Sequence, residues 1–122
     1  MGINKKLLFI YGIKIFIWLK ISCSNDKTIK IWDLTNYKEI KTFIGHKSNI
    51  QCLAVLPNNK LASCSYDNTI KIWDLTNFKE INTLIGHKGS VFYLVFLPNE
   101  NLASGSWDKT IKIWDLTNSL CS

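Results

Sequence analysis

The chain has 122 residues, 47% of them hydrophobic, and a formal net charge of +6, so its length and apolar content suit one small domain with a core. All 15 basic residues are lysines. Nucleic-acid sites usually use arginine for bidentate contacts, whereas lysines that recur in step with a repeat are typical of solvated strand edges. This pattern argues against a dedicated nucleic-acid surface, and a membrane is likewise not expected as a partner.

The first predicted element is the apolar segment LLFIYGIKIFIWL, residues 7–19, within an N-terminal region of residues 1–19. Two lysines precede this run, as they would in a signal peptide or an anchor. However, Lys14 interrupts the run, which is also too short to span a bilayer. The alternation of apolar residues with Tyr11, Lys14 and Trp18 instead predicts a diverged β-strand.

From residue 20 onward the chain repeats itself. The residues TIKIWDLTN occur three times without change, beginning at Thr28, Thr69 and Thr110, which gives a period of 41 residues. A repeat of this length with a Trp-Asp pair is typical of a β-propeller blade, a four-stranded antiparallel sheet that buries its faces against its neighbours. The sequence therefore predicts an all-β fold, a partial propeller of about three blades whose first and last blades are incomplete.

Alternating apolar residues bounded by turn signals predict the blades and their strands. The predicted blades are residues 20–43, which form a partial first blade, residues 44–84, and residues 85–122, which lack an outer strand. The predicted strands are residues 21–24, 28–32 and 37–43 in the first blade, 50–55, 60–65, 69–73 and 78–84 in the second, and 91–96, 101–106 and 110–114 in the third.

The motifs around each Trp-Asp pair are more specific than the pair itself. The hairpins read LASCSYDNTIKIWD and LASGSWDKTIKIWD, and a Gly-His pair precedes each of them, at Gly45-His46 and Gly86-His87. In these motifs, over residues 21–118, the chain closely resembles the WD-repeat (WD40-type) β-propeller family. The resemblance implies a hydrogen-bonded structural tetrad in each blade, formed by the Gly-His histidine, a second-strand serine, the hairpin aspartate and the third-strand tryptophan.

The implied tetrads are His46, Ser63, Asp67 and Trp73 in the second blade, His87, Ser104, Asp108 and Trp114 in the third, and an incomplete set of Ser22, Asp26 and Trp32 in the first. A buried indole N–H and a buried hydroxyl both need hydrogen-bond partners, so the arrangement is physically reasonable. Hairpin pairing places Ser63 roughly opposite Trp73, although the register leaves Ser65 open as the alternative.

Serine, histidine and aspartate together also form hydrolase triads. Here the same trio recurs in successive blades and no G-x-S-x-G motif is present, so we interpret the trio as structural and expect no enzymatic activity. The four cysteines, Cys23, Cys52, Cys64 and Cys121, lack C-x-x-C spacing and a companion histidine cluster, which predicts no metal site and no cofactor. Their pattern favours a reducing, intracellular compartment, either cytoplasmic or nuclear.

Partner-binding residues are expected where the repeats differ. The residue before the hairpin aspartate changes in every repeat, and large aromatics at turn tips are frequent interface anchors. The candidates are Asn25, Tyr66 and Trp107 at this position, and Gln51, Phe92, Asn49 and Ser90 at the start of the innermost strand. The alternative is that these aromatics pack against loops of adjacent blades.

The sequence thus predicts a non-enzymatic protein–protein interaction scaffold of WD-repeat type, which binds a protein or peptide partner on the propeller face. Two alternatives are a truncated gene fragment without independent function, and lysine-mediated binding to nucleic acid or acidic membrane. A homodimer that closes a six-bladed ring is a further hypothesis, in which residues 7–19 of one copy complete the third blade of the other.

Overall fold

The computed structural model describes residues 6–11, 18–23, 27–33 and 36–119, with side chains for residues 27–33 and 36–117. This part of the chain is almost entirely β-structure, with one 3₁₀ turn at Pro98–Glu100 and one short helix, α1, at Leu116–Ser119. The strands are β1 (Lys6–Tyr11), β2 (Trp18–Cys23), β3 (Thr28–Asp33), β4 (Lys38–Ile44), β5 (Ile50–Leu56), β6 (Lys60–Ser65), β7 (Ile70–Asp74), β8 (Lys79–Leu84), β9 (Val91–Leu97), β10 (Asn101–Ser106) and β11 (Ile111–Asp115). No described helix is long and apolar enough to cross a membrane.

The strands form three antiparallel sheets, each in chain order. The first sheet contains β1 to β4, the second contains β5 to β8, and the third contains β9 to β11. The predicted all-β partial propeller is therefore confirmed. In the second and third sheets, β6 and β10 have the predicted bounds, and the bounds of the other strands differ from the prediction by one residue.

The first sheet is complete, with four strands, whereas the sequence predicted a partial first blade. Residues 7–19 are not one strand: β1 ends at Tyr11, and Trp18 already begins β2. The two strands pair from Lys6 opposite Cys23 to Tyr11 opposite Trp18. Main-chain pairing does not require a particular sequence motif, so a strand unlike the repeats fills the innermost position. In this chain β1 is thus the innermost strand of the first sheet.

Several hairpin turns use asparagine in the left-handed region, which asparagine tolerates better than most residues. Asn68 has a φ of 75° in the turn between β6 and β7, and Asn58 and Asn59 have φ values of 63° and 60° between β5 and β6. The β6–β7 turn is closed by the Asn68 amide, which donates to the Ser65 carbonyl at 3.2 Å. These turns set the register of the β5–β6 and β6–β7 pairs.

The hydrophobic core lies between successive sheets. Between the first and second sheets the buried residues are Ile29, Ile31, Phe43, Ile50, Leu53, Leu61, Trp73 and Leu75. Between the second and third sheets they are Leu56, Ala62, Cys64, Ile70, Ile72, Leu84, Val91, Leu94, Leu102 and Leu116. Since burying one such aliphatic side chain contributes about 1.5–3 kcal/mol, the sheets stabilise one another.

Candidate functional site

A buried hydrogen-bond network joins the loop before β5 to the β6–β7 hairpin. The ring nitrogens of His46 lie 2.9 Å from Asp67 Oδ2 and 2.6 Å from Ser63 Oγ. Trp73 Nε1 donates to the same Ser63 Oγ at 2.8 Å. The structure thus brings together the four residues that the sequence singled out in this blade.

The donors and acceptors of this network form one directed chain. Because the Asp67 carboxylate only accepts, His46 Nδ1 carries the hydrogen of that bond. In the neutral imidazole, Nε2 then accepts from the Ser63 hydroxyl, and the hydroxyl oxygen accepts from Trp73. The network therefore satisfies the buried indole, hydroxyl and imidazole groups together.

The strand register differs from the one expected. Trp73 lies opposite Leu61, and Ser63 lies opposite Lys71, so the indole reaches Ser63 diagonally rather than directly across the hairpin. A long indole side chain spans this diagonal easily. Ser65, the alternative partner, bonds elsewhere: its hydroxyl donates to the Ser48 carbonyl at 3.1 Å.

The third sheet contains the same network with nearly the same dimensions. The ring nitrogens of His87 lie 2.9 Å from Asp108 Oδ2 and 2.7 Å from Ser104 Oγ. Trp114 Nε1 donates to Ser104 Oγ at 2.8 Å. Repetition at this precision indicates a structural element that the second and third sheets share.

The two aspartates are more acidic than usual. Burial by itself would raise the pKa of Asp67, but hydrogen bonds from His46 and Thr69 outweigh it and hold the pKa well below its usual range. For Asp108 the hydrogen bond from the Thr110 hydroxyl is the main cause of a similarly lowered pKa. Both carboxylates are therefore ionised at neutral pH.

The counterpart of this network in the first blade is described only in part. Trp32 is half-buried on β3, and the backbone of Ser22 pairs with Lys30. The side chain of Ser22, together with Asp26 and the binding candidate Asn25, lies outside the described residues.

The network has the aspartate–histidine–serine order of a hydrolase triad but lacks an accessible nucleophile. The side chains of Ser63 and Ser104 are buried, and each hydroxyl also accepts a hydrogen bond from an indole. No cluster of metal-ligating side chains occurs among the described residues. The geometry supports anchoring of the hairpin rather than chemistry at the hydroxyl.

The hairpin tips carry the exposed aromatic candidates. Tyr66 is 41% exposed and Trp107 is 69% exposed. The Tyr66 amide donates to the Asn49 carbonyl at 3.0 Å, and the Trp107 amide donates to the Ser90 carbonyl at 2.9 Å. Each tip therefore lies directly beside the candidate residue that precedes the innermost strand.

The two remaining candidates lie on the innermost strands themselves. Phe92 on β9 is exposed, whereas Gln51 on β5 is half-buried. The side-chain Nε2 of Gln51 is buried without a hydrogen-bond partner among the described residues. Of this pair, only Phe92 offers a large apolar surface to solvent.

A second set of polar side chains recurs between the outer strand and its neighbour in the first two sheets. The sequence analysis did not identify it. Lys71 Nζ donates to Glu80 Oε2 at 2.7 Å and to Thr83 Oγ1 at 2.9 Å, and the Thr83 hydroxyl donates to Glu80 at 2.6 Å. In the first sheet, Lys30 lies 3.5 Å from Glu39. The signal is visible in the repeat, since K-E-I-x-T follows the first two Trp-Asp pairs.

The sequence analysis also did not predict an aromatic contact between the first and second sheets. Phe43 on β4 stacks on Trp73 of the next sheet, with ring centroids 4.6 Å apart and planes inclined by 12°. Nothing in the spacing of a single repeat indicates which side chain of the preceding sheet covers this tryptophan.

Sheets that pack in succession, with the same buried network in two of them, define a repeat protein of the β-propeller class. The sequence model of the WD40 family, described as "WD domain, G-beta repeat", matches residues 15–33, 37–74 and 78–115. Because these matches cover most of the chain, it belongs to the WD40 repeat family.

Curated relatives match about one repeat of the chain. Nuclear distribution protein nudF 1 of Talaromyces marneffei is 41% identical over 44 residues, which are 35% of this chain and 10% of the relative. Nuclear distribution protein PAC1 of Arthroderma benhamiae is 42% identical over 40 residues, 32% of this chain and 9% of the relative. Small ribosomal subunit protein RACK1 of Saccharomyces cerevisiae is 44% identical over 41 residues, 34% of this chain and 13% of the relative. The matched segment thus spans about a tenth of the length of each relative.

Proposed function

We propose that this chain is a non-enzymatic scaffold that binds a protein or peptide partner through the hairpin tips of its second and third sheets. The observation that carries the proposal is the exposure of Trp107, which presents 69% of its surface to solvent at a tip fixed by hydrogen bonds. Exposed tryptophan and tyrosine side chains are frequent interface anchors because they bury a large area at a small cost in conformational entropy.

The two tips belong to one surface. The Ser90 hydroxyl donates to the Tyr66 carbonyl at 3.5 Å, which links the third sheet to the tip of the second. Immediately after Tyr66 and Trp107 come Asp67 and Asp108, which are held in the buried networks. A rigid support of this kind lowers the entropy lost when a partner binds.

A non-enzymatic role is supported by the burial of the two network serines, because a nucleophile must reach its substrate. WD40 repeat proteins of this family are generally interaction scaffolds. The partner of this chain is accordingly a protein or peptide rather than a small-molecule substrate.

An intracellular location, cytoplasmic or nuclear, is part of the proposal. Cys52 and Cys64 lie opposite each other on β5 and β6, and no disulfide joins them. Thiols in such positions are typical of reducing compartments.

The test uses peptides selected from a random library on the immobilised chain. Trp107→Ala and Tyr66→Ala should each weaken binding of the selected peptides about tenfold or more, as expected for interface anchors. Tyr37→Ala is the matched control, because Tyr37 is an exposed aromatic at a turn of the first sheet, away from these tips.

Three outcomes would contradict the proposal. Unchanged peptide binding by the Trp107 and Tyr66 variants would show that the tips are not the interface. A loss of the folded state in these variants, seen by circular dichroism, would show instead that the aromatics pack within the protein. Binding that weakens steeply with salt in all variants would favour lysine-driven association.

A further inference from the structure

The loops at one end of the strands form a surface that we call the tip face. Within the described residues it consists of Lys27, the loops 45–49 and 86–90, and the turns 66–69 and 107–110. The turns 57–59 and 75–78 lie at the other end, where the Leu75 amide donates to the Asn59 carbonyl at 2.8 Å. The hairpin tips of the proposed function belong to the tip face.

Charged side chains are distributed unevenly between the two ends. The described lysines of the tip face are all exposed, and they are Lys27, Lys47, Lys88 and Lys109. Its described carboxylates are those of Asp67 and Asp108. At the other end both signs are mixed, and the residues there are Asp33, Asp74, Glu100, Asp115, Lys38, Lys60 and Lys79. The tip face therefore carries an excess of positive charge.

The carboxylates of the tip face are held inside it rather than at its surface. Asp67 Oδ2 lies 2.9 Å from His46 Nδ1 and accepts from the Lys47 amide at 2.9 Å. The side chains of Asp67 and Asp108 are only 10% and 12% exposed. Among the described residues, neither Lys47 nor Lys88 forms an ion pair. A partner that approaches this face therefore meets ammonium groups before carboxylates.

A lysine lies beside each exposed aromatic of the tip face. The Lys47 amide bonds to Asp67, which directly follows Tyr66 in the chain. In the third sheet the Lys88 amide bonds in the same way to the residue that follows Trp107. The buried networks thus fix the backbone from which both the aromatic and the lysine extend.

Tyr66 keeps its exposure in the middle of the described sheets. The second sheet packs between the first and the third. The Ser90 hydroxyl of the third sheet donates to the Tyr66 carbonyl at 3.5 Å, yet Tyr66 is still 41% exposed. An aromatic and a neighbouring cation therefore remain accessible where a sheet is packed on either side.

We propose that the segment bound at the tip face is an acidic peptide of a protein partner. An apolar or aromatic residue of the peptide packs on Tyr66 or Trp107, and its glutamate or aspartate side chains pair with Lys47 and Lys88. This inference rests on the proposed function and adds the chemical class of the partner. The aromatics supply the buried area, and opposite charges across the interface speed association and reject wrong partners.

The same charges favour an acidic peptide over a nucleic acid. A nucleic acid carries a phosphate at every nucleotide, so a strand laid across the tip face would bring phosphates close to Asp67 and Asp108 as well as to the lysines. A peptide can place its carboxylates at the lysines alone. The chain also has no arginine, the residue that recognises phosphate by bidentate contacts.

The experiment sequences the peptides that a random library yields on the immobilised full chain. Clones lost on Trp107→Ala or Tyr66→Ala define the tip-dependent set. We expect this set to contain about twofold more aspartate and glutamate than the starting library. Tip-dependent peptides without this enrichment would overturn the acidic class, although the tips would remain the interface.

Charge reversal tests the two lysines directly. Lys47→Glu with Lys88→Glu should weaken binding of the selected peptides about tenfold, measured by fluorescence anisotropy. Lys38→Glu with Lys79→Glu is the matched control, because it changes the net charge equally at two exposed positions of the other end. Equal weakening by the two pairs would assign the effect to overall charge and overturn the proposed contacts.

A milder pair of variants guards against unfolding. Lys47→Gln with Lys88→Gln removes both charges without adding a carboxylate beside Asp67 or Asp108. This pair should remain folded by circular dichroism and weaken binding about threefold. Unchanged binding by the folded glutamine pair would overturn the proposed contacts.

A second selection tests whether the sign of the charge decides the partner. Peptides selected on the chain with Lys47→Glu and Lys88→Glu should be enriched in lysine and arginine instead of acidic residues. Persistence of acidic sequences would overturn the proposal, because their carboxylates would then be recognised elsewhere.

Two further outcomes separate this inference from its alternatives. A labelled single-stranded oligothymidylate that binds more tightly than the selected peptides, and is weakened by the same lysine reversals, would assign the lysines to nucleic acid and overturn the proposal. Acidic peptides that depend on Lys47 and Lys88 but not on Tyr66 or Trp107 would contradict the proposed function and support the acidic class.

Discussion

Ile70 and Ile111 occupy the same position in successive repeats and have opposite environments. Ile70 is 0% exposed between the second and third sheets, whereas Ile111 is 76% exposed on the far side of the third sheet. A cavity of about 390 Å³ lies on this open face, lined in part by Tyr93, Gly105 and Ile111. The same side chain therefore contributes to the core at one position and to a solvent-exposed apolar face at the other.

This difference predicts unequal effects of the same substitution. Ile70→Thr should lower the free energy of unfolding by about 2–4 kcal/mol, since it removes buried apolar volume and buries a hydroxyl. Ile111→Thr should change it by less than about 0.5 kcal/mol. Urea denaturation followed by tryptophan fluorescence measures both. A large loss for Ile111→Thr would show that the open face is covered in solution, for example by a second copy.

The Ser63 hydroxyl is hydrogen-bonded to both His46 and Trp73, so Ser63→Ala is expected to lower the stability of the fold. The substitution leaves the indole N–H of Trp73 and a ring nitrogen of His46 without their partner. We expect a loss of about 1–3 kcal/mol in the free energy of unfolding, the usual cost of a buried unsatisfied group. Ser90→Ala is the control. The Ser90 hydroxyl makes only a 3.5 Å contact, so its removal should have little effect on the free energy of unfolding.

The low pKa of Asp67 predicts a dependence of stability on pH. In an unfolded chain the pKa of aspartate is about 4. Because folding lowers the pKa of Asp67, the ionised carboxylate stabilises the fold above about pH 4, and this contribution is lost as the pH falls toward the folded-state pKa.

The measurement compares urea midpoints at pH 7 and pH 3. The difference between the two should be smaller for Asp67→Asn than for the wild-type chain, since the amide cannot titrate. Glu100→Gln, which replaces an exposed carboxylate in the 3₁₀ turn, should retain the wild-type difference. An unchanged pH dependence in Asp67→Asn would contradict the assigned role of this carboxylate.

The surroundings of Gly45 and Gly105 predict opposite effects of an added methyl group on the stability of the fold. A Cβ at Gly45 would lie 3.1 Å from both Trp73 Cη2 and Glu80 Oε1, and the indole cannot retreat because Phe43 stacks on it. Gly45→Ala should therefore destabilise the fold by about 1–2 kcal/mol through overpacking.

Gly105→Ala is the matched comparison. A Cβ at Gly105 would meet its nearest neighbour, Tyr93 Cβ, at an ordinary distance of 3.6 Å, and Cys64 already occupies the same place in the second repeat. This substitution should be neutral or should stabilise the fold by about 0.4–1 kcal/mol, because alanine restricts the unfolded chain more than glycine does. Thermal unfolding of both variants gives the comparison, and a larger loss for Gly105→Ala would contradict it.

The sequence by itself determined the kind of sheet, the strands of the second and third repeats and the family. These features follow from signals contained within one 41-residue repeat: alternating apolar residues, turn-forming asparagines, and the Gly-His and Trp-Asp pairs. The residues of the His46 and His87 networks also lie within one repeat, and the resemblance to the WD-repeat family implied their membership. The diagonal contact from Trp73 to Ser63 could not, because it depends on the pairing register.

The tertiary structure alone decided which faces are buried and which edges are paired. The strand TIKIWD reads the same in all three repeats, yet β3 and β7 each have an outer strand, and no described strand covers the outer edge of β11. β1 completes the first sheet although its sequence resembles no repeat. The physical reason is that burial and strand pairing depend on neighbouring elements, which an identical local sequence cannot specify.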